Sequence, residues 1–132
     1  MIFIDSDAFI GIIAPQDAHY AAANAVFDRL GTTEEKLVTS WETIDEVATK
    51  VRMYFGKDCA DMLFSLLAKA KITIVYVDQA LAQTIVEIFK KQTSKNVSLT
   101  DCANIAICRL LGITSVFSFD SHYQKNGLKL LS

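Results

Sequence analysis

Short apolar segments recur along the chain with helix-length stretches between them, and this alternation constrains the fold more than any other feature. Residues 2–5 (IFID), 37–40 (LVTS), 72–77 (ITIVYV) and 114–119 (TSVFSF) are rich in β-branched or aromatic residues and predict strands. Residues 128–131 add a fifth candidate. Helices are predicted over 17–30, 41–55, 57–70, 79–93 and 99–111. Pro15 and Asp17 are read as opening the first of these. The pattern Thr39-Ser-Trp-Glu42 is read as a capping box for the second, and Ser98-Leu-Thr-Asp101 as the cap of the last. Gly31, Gly56 and Gly112 follow helical patterns, where left-handed C-caps belong. Strands joined by helical crossovers imply parallel pairing with helices on both faces. The expected fold is a three-layer α/β/α sandwich around a mainly parallel sheet of four to five strands, with residues 1–132 forming one domain.

Composition agrees. Hydrophobic residues make up 52% of 132, too many for a disordered chain. No apolar run is long enough to span a bilayer, and the opening MIFID does not read as a signal peptide, so a cytoplasmic protein is expected. Three cysteines without CxxC spacing suggest buried free thiols rather than a disulfide or zinc framework. The formal net charge of −2 argues against a surface that grips nucleic acid by bulk charge. Ten of the fifteen acids are Asp, a residue suited to caps, turns and metal ligation.

In an open parallel sheet, ligands bind at the carboxyl ends of the strands, where strand order reverses. Strand 1 ends in Asp5-Ser6-Asp7, and strand 4 in Ser118-Phe119-Asp120. Glu46 lies in the helix after strand 2, away from that helix's apolar arc, with Glu42 one turn earlier. Asp101 and Asn104 share a face of LTDCANIAICRLL, a segment with nine apolar residues of thirteen. Polar side chains on so apolar a helix need a reason to be there. Each acid also has a plain reading as a cap, a turn residue or a solvated side chain. Gathering Asp5, Glu46, Asp101 and Asp120 in one place would be costly. Two unit charges ~4 Å apart repel by about 4 kcal/mol at an effective dielectric of 20. A divalent cation would offset this, and a carboxylate-rich set selects Mg²⁺ or Mn²⁺.

Four blocks resemble the PIN domain family, close to its small VapC-type toxins: IFIDSDAFI, TSWETIDEVATKVR, LTDCANIAICRLLGI and VFSFDSHYQKNGLKLL. The resemblance covers nearly the whole chain. It implies a ribonuclease using one or two Mg²⁺ or Mn²⁺ ions, with Asp5, Glu46, Asp101 and Asp120 as the acids. Ser6, Thr100 and Ser118 match the small polar positions beside them, with Asn104 in support. Some members carry a further Asp two residues past the strand-4 acid; here that position is His122, as it is in some related sequences. Asp5 and Asp101 are expected as direct metal ligands, with Glu46 and Asp120 acting through bound waters. The products would carry 5′-phosphate and 3′-hydroxyl ends. RNA is the implied substrate, with Lys50, Arg52 and Lys95 as candidate phosphate contacts. A protein antitoxin and a homodimer are the implied partners. Competing readings are a non-catalytic PIN module binding RNA or protein, and a small phosphatase of haloacid-dehalogenase type suggested by Asp5-x-Asp7. In that phosphatase motif Phe9 replaces the usual Thr or Val. A receiver domain would want a Lys after a late strand, which TSVFSFD lacks.

Overall fold

A computed structural model describes all 132 residues. Five strands form one parallel sheet in the order β3-β2-β1-β4-β5. They are β1 (Ile2–Ile4), β2 (Leu37–Ser40), β3 (Thr73–Val75), β4 (Ser115–Phe117) and β5 (Lys129–Leu131). The helices are α1 (Ser6–Ile13), α2 (Tyr20–Gly31), α3 (Trp41–Phe55), α4 (Lys57–Lys69), α5 (Gln79–Lys91), α6 (Leu99–Leu111) and α7 (His122–Lys125). The chain builds outward from β1 to β3, then crosses back to lay β4 on the free side of β1. Strand order therefore reverses between β1 and β4.

Alternation along β1 sorts its side chains between two cores. Ile2 and Ile4 pack with α1 to α4, while Phe3 packs with α5 and α6. On β4, Phe117 joins the first core and Val116 the second. These two cores are the spaces between the sheet and its two helical layers. No helix is long and apolar enough to cross a membrane.

Several local expectations change. α1 was not anticipated: residues 6–13 form a full helix directly after β1, whereas the predicted 17–30 helix begins only at Tyr20. The run SDAFIGII is apolar nearly throughout because most of it is buried, so it lacks the amphipathic signal of a surface helix. Asp17 caps a turn instead, its Oδ1 accepting from the His19 N–H at 2.8 Å. The cap of α3 is Ser40, whose Oγ accepts from the Thr43 N–H; Thr39 instead donates to the Ile4 carbonyl from within the sheet. Gly31 is the last residue of α2 rather than a left-handed cap, whereas Gly112 (φ 67°) closes α6 as expected. Gly56 has φ 91° and ψ 173°, a conformation open to glycine but not the left-handed helical one.

Candidate active site

Because β1 ends at Ile4, Asp5 is the N-cap of α1 and stands at the carboxyl edge of the sheet. The Asp5 N–H donates to the Phe117 carbonyl at 3.1 Å, which ties the ends of β1 and β4 together. Ser118 Oγ, just past β4, lies 3.0 Å from Asp5 Oδ2 and 3.2 Å from Asp7 Oδ2. One hydroxyl proton serves only one acid at a time. Asp7 Oδ2 also accepts from the Phe119 N–H at 2.8 Å, while its Oδ1 is buried without a partner.

Asn104 projects from the middle of α6 and is fully buried. Its Nδ2 donates to Asp5 Oδ1 and to Tyr123 Oη, both at 3.1 Å. Its Oδ1 accepts from Ser40 Oγ at 2.8 Å and Thr43 Oγ1 at 3.1 Å. One amide thus joins the acid after β1, the start of α3 and the tyrosine of α7.

The Asp101 cap follows the predicted box. Asp101 Oδ2 accepts from the Ser98 N–H at 2.7 Å, and Ser98 Oγ accepts in return from the Asp101 N–H. That leaves Oδ1 turned toward His122. Asp120 lies past β4 in a half-exposed bend and accepts from the His122 backbone N–H at 3.0 Å. Glu46 reaches the site from α3. Its Oε2 accepts from Ser6 Oγ at 3.0 Å, and its Oε1 pairs with Lys50 Nζ at 2.5 Å.

The electrostatics follow from burial. Asp5 is pushed up to about 8, first by desolvation and then by the neighbouring Asp7 carboxylate, with Asp101 adding to both. Desolvation likewise raises Asp7. Burial works against the charged form of Asp120 too, but the backbone N–H and ring of His122 hold it below the usual range. Lys50 is raised, chiefly by its bond to Glu46 and further by the fields of Asp101 and Asp5.

No three His, Cys, Asp or Glu side chains close around a single point in this conformation. The donor chemistry nonetheless fits a hard divalent cation. Asp5 is buried and Asp7 half-buried, no Lys or Arg bonds either, and the buried Asp7 Oδ1 is orphaned. Glu46 stands apart because Ser6 and Lys50 hold both its oxygens.

Among the other expected residues, Thr100 lines a cleft with Glu42, Asp45, Glu46, Thr49 and Lys50. Lys50 is beside the acids. Arg52 is not; its field falls on Lys57 beyond the end of α3. Lys95 is exposed in the loop before α6, with no bond to the site. Sequence reading placed Asp7 at the end of strand 1 but did not count it among the site acids, giving it a role only in a phosphatase motif. It also missed Ser40, Thr43 and Tyr123. A helix prediction starting at Ser6 would have placed Asp7 in its first turn, facing the same edge as Asp5.

The fold and the acid cluster can now be set beside known proteins. The PIN domain model matches residues 2–128. The chain belongs to the PIN domain family. This PIN domain is similar in structure to VapC20 of Mycobacterium tuberculosis, a Sarcin-Ricin loop cleaving toxin. The TM-score is 0.87 at 18% identity, covering 97% of this chain and 96% of that one. It is also similar to FitAcB from Neisseria gonorrhoeae, with a TM-score of 0.71 at 18% identity over 100% of this chain and 97% of the other. A third likeness is to FitAB bound to the IR36 DNA fragment, with a TM-score of 0.70 at 17% identity over 99% and 94%. No curated protein matches the chain in sequence.

Proposed function

We propose that the protein is a metal-dependent endoribonuclease that hydrolyses RNA phosphodiester bonds, and that it is the toxin of a toxin–antitoxin pair. The observation that carries this is the buried Asp5 carboxylate at the β1/β4 reversal, with Asp7, Asp101 and Asp120 around it, in a chain of the PIN family. The likeness to a Sarcin-Ricin loop cleaving toxin supports RNA as the substrate.

Asp5 and Asp101 would hold one or two Mg²⁺ or Mn²⁺ ions, with Glu46 and Asp120 acting through bound waters. The bound cation supplies a water of lowered pKa and a Lewis acid for the phosphoryl oxygens. Ser118 and Asn104 orient the two oxygens of Asp5, so this carboxylate has a fixed direction before any cation arrives. Ser6 holds Glu46 at the rim. Lys50 is placed to meet a substrate phosphate once Glu46 turns inward.

Partners belong to the same reading. Trp41 stacks on Tyr76 with centroids 5.9 Å apart, and both are exposed, as are Val86, Phe89 and Leu99. Apolar side chains left open on α3, α5 and α6 suit a homodimer, which sedimentation velocity would read directly. A protein antitoxin is the second expected partner.

The deciding experiment incubates the purified chain with structured and single-stranded RNA in Mn²⁺ or Mg²⁺. Cleavage that leaves 5′-phosphates, stops with chelator and disappears in Asp101→Asn is expected. Undiminished cleavage by Asp101→Asn overturns the mechanism.

A further inference from the structure

His122 is the one site residue that departs from an all-oxygen set. It is 6% exposed; Nδ1 sits against Asp120, while Nε2 has no hydrogen-bond partner. Buried polar atoms are ordinarily paired, so the open Nε2 points to a missing neighbour. This ring meets two carboxylates. Nδ1 lies 2.8 Å from Asp120 Oδ1, close but out of line for a hydrogen bond. Nε2 lies 3.8 Å from Asp101 Oδ1. The ring packs against Tyr123 with centroids 4.0 Å apart, and Tyr123 is fully buried, so the imidazole has a firm backing.

Histidines that bind metals commonly hand their second N–H to a carboxylate, which fixes the tautomer and aims the free lone pair. Asp120 and His122 have that layout. Asp120 Oδ1 also accepts from the His122 backbone N–H at 3.0 Å, which keeps it beside Nδ1. Asp101 is held as well, by the Ser98 N–H on its Oδ2. The Nε2 lone pair therefore faces the one Asp101 oxygen that the helix cap does not use. Two donors each about 2.1 Å from an ion lie about 3.0 Å apart when adjacent and about 4.2 Å when opposite. The observed 3.8 Å lies between the two spacings, so the pair needs a small shift to share an ion, whereas a direct charged hydrogen bond would draw it to about 2.8 Å.

We infer that His122 Nε2 is a nitrogen ligand that shares a divalent cation with Asp101, and that Asp120 is its positioning residue. This rests on the metal-dependent reading above and adds to it a ligand type. An imidazole donor favours a transition ion over Mg²⁺, so the site prefers Mn²⁺.

The test is pulsed electron paramagnetic resonance of the full chain loaded with Mn²⁺ alone. The only other histidine is His19, which is exposed and stacks on Phe119. The His19→Ala chain therefore carries His122 as its sole imidazole. The expected spectrum of Mn²⁺ bound to His19→Ala shows a directly coordinated nitrogen, and labelling with ¹⁵N-histidine changes its frequency. In His122→Asp the coupling vanishes and the Mn²⁺-to-Mg²⁺ affinity ratio falls about tenfold. The labelled His19→Ala chain decides the matter even if His122→Asp fails to fold. Bound Mn²⁺ without nitrogen coupling overturns the assignment of His122 and leaves the ribonuclease reading standing. Coupling that survives His122→Asp, or an unchanged affinity ratio there, also overturns it. Failure of the native chain to bind Mn²⁺ at all overturns both.

Discussion

Ser118 Oγ touches Asp5 Oδ2 at 3.0 Å across 113 positions of sequence. The contact is made because β4 lies directly beside β1, with Ile4 opposite Phe117, so the residues that follow each strand emerge together. The acid that follows the first strand is thereby oriented by the crossover that carries the chain from β3 back to β4.

Asp5 makes stability depend on pH in a specific direction. Its folded value of about 8 lies above its ordinary 3.8, so the folded state keeps a proton that the unfolded chain gives up. This favours folding at low pH, and the advantage is lost as pH rises from about 4 to about 8. Without metal, the urea midpoint is expected to be lower at pH 8 than at pH 5.5. Added Mn²⁺ should reverse that order, because a ligand bound only to the folded state stabilises it.

Asp5→Asn separates catalysis from stability. It removes the charge that burial penalises but keeps groups able to bond Ser118 and Asn104. RNA cleavage is expected to fall by at least ~10²-fold, the scale of a lost metal-site interaction. The metal-free chain at pH 8 should melt several degrees higher, at about 3–4 °C per kcal/mol gained. Calorimetry alongside a cleavage assay reads both.

Asn104→Ala should destabilise the protein by about 2–4 kcal/mol, because Asp5, Ser40, Thr43 and Tyr123 all lose a buried partner. Asn104→Asp is expected to be worse, since it sets another carboxylate against Asp5. Denaturant unfolding at constant pH distinguishes the two.

Lys50→Met should leave the melting temperature nearly unchanged, because its pair with Glu46 is half exposed and such pairs contribute about 0–1 kcal/mol. It frees Glu46, so Mn²⁺ affinity is expected to rise up to about fivefold while KM for RNA increases. Isothermal titration and steady-state kinetics check the two arms.

The expected strands and five of the helices are legible because strands and amphipathic helices write their periodicity into local sequence. α1 is not. Its residues face the sheet, α2 and α3 in turn, and an all-round apolar helix resembles a buried strand by pattern alone. Among the acids, Asp5, Asp101 and Asp120 stand at positions that strand ends and helix caps announce. Asp7 was passed over because its role depends on the helix that was missed. Thr39 was taken for a cap because it precedes an apolar helix, but strand pairing takes its hydroxyl for Ile4.

From sequence alone came the three-layer α/β/α class, the family and most of the acids, since each depends on spacing along the chain. Tertiary structure decided which of those acids meet. Glu46 is linked to the cluster by Ser6 and turned outward by Lys50, while Arg52 and Lys95 stand away from the acids. His122 lies between Asp101 and Asp120 because α7 opens just past β4, with its first residue beside the start of α6. Local sequence governs backbone periodicity, but a carboxylate's partners and proton affinity depend on burial and on charges brought close by distant segments. Only the folded chain supplies those.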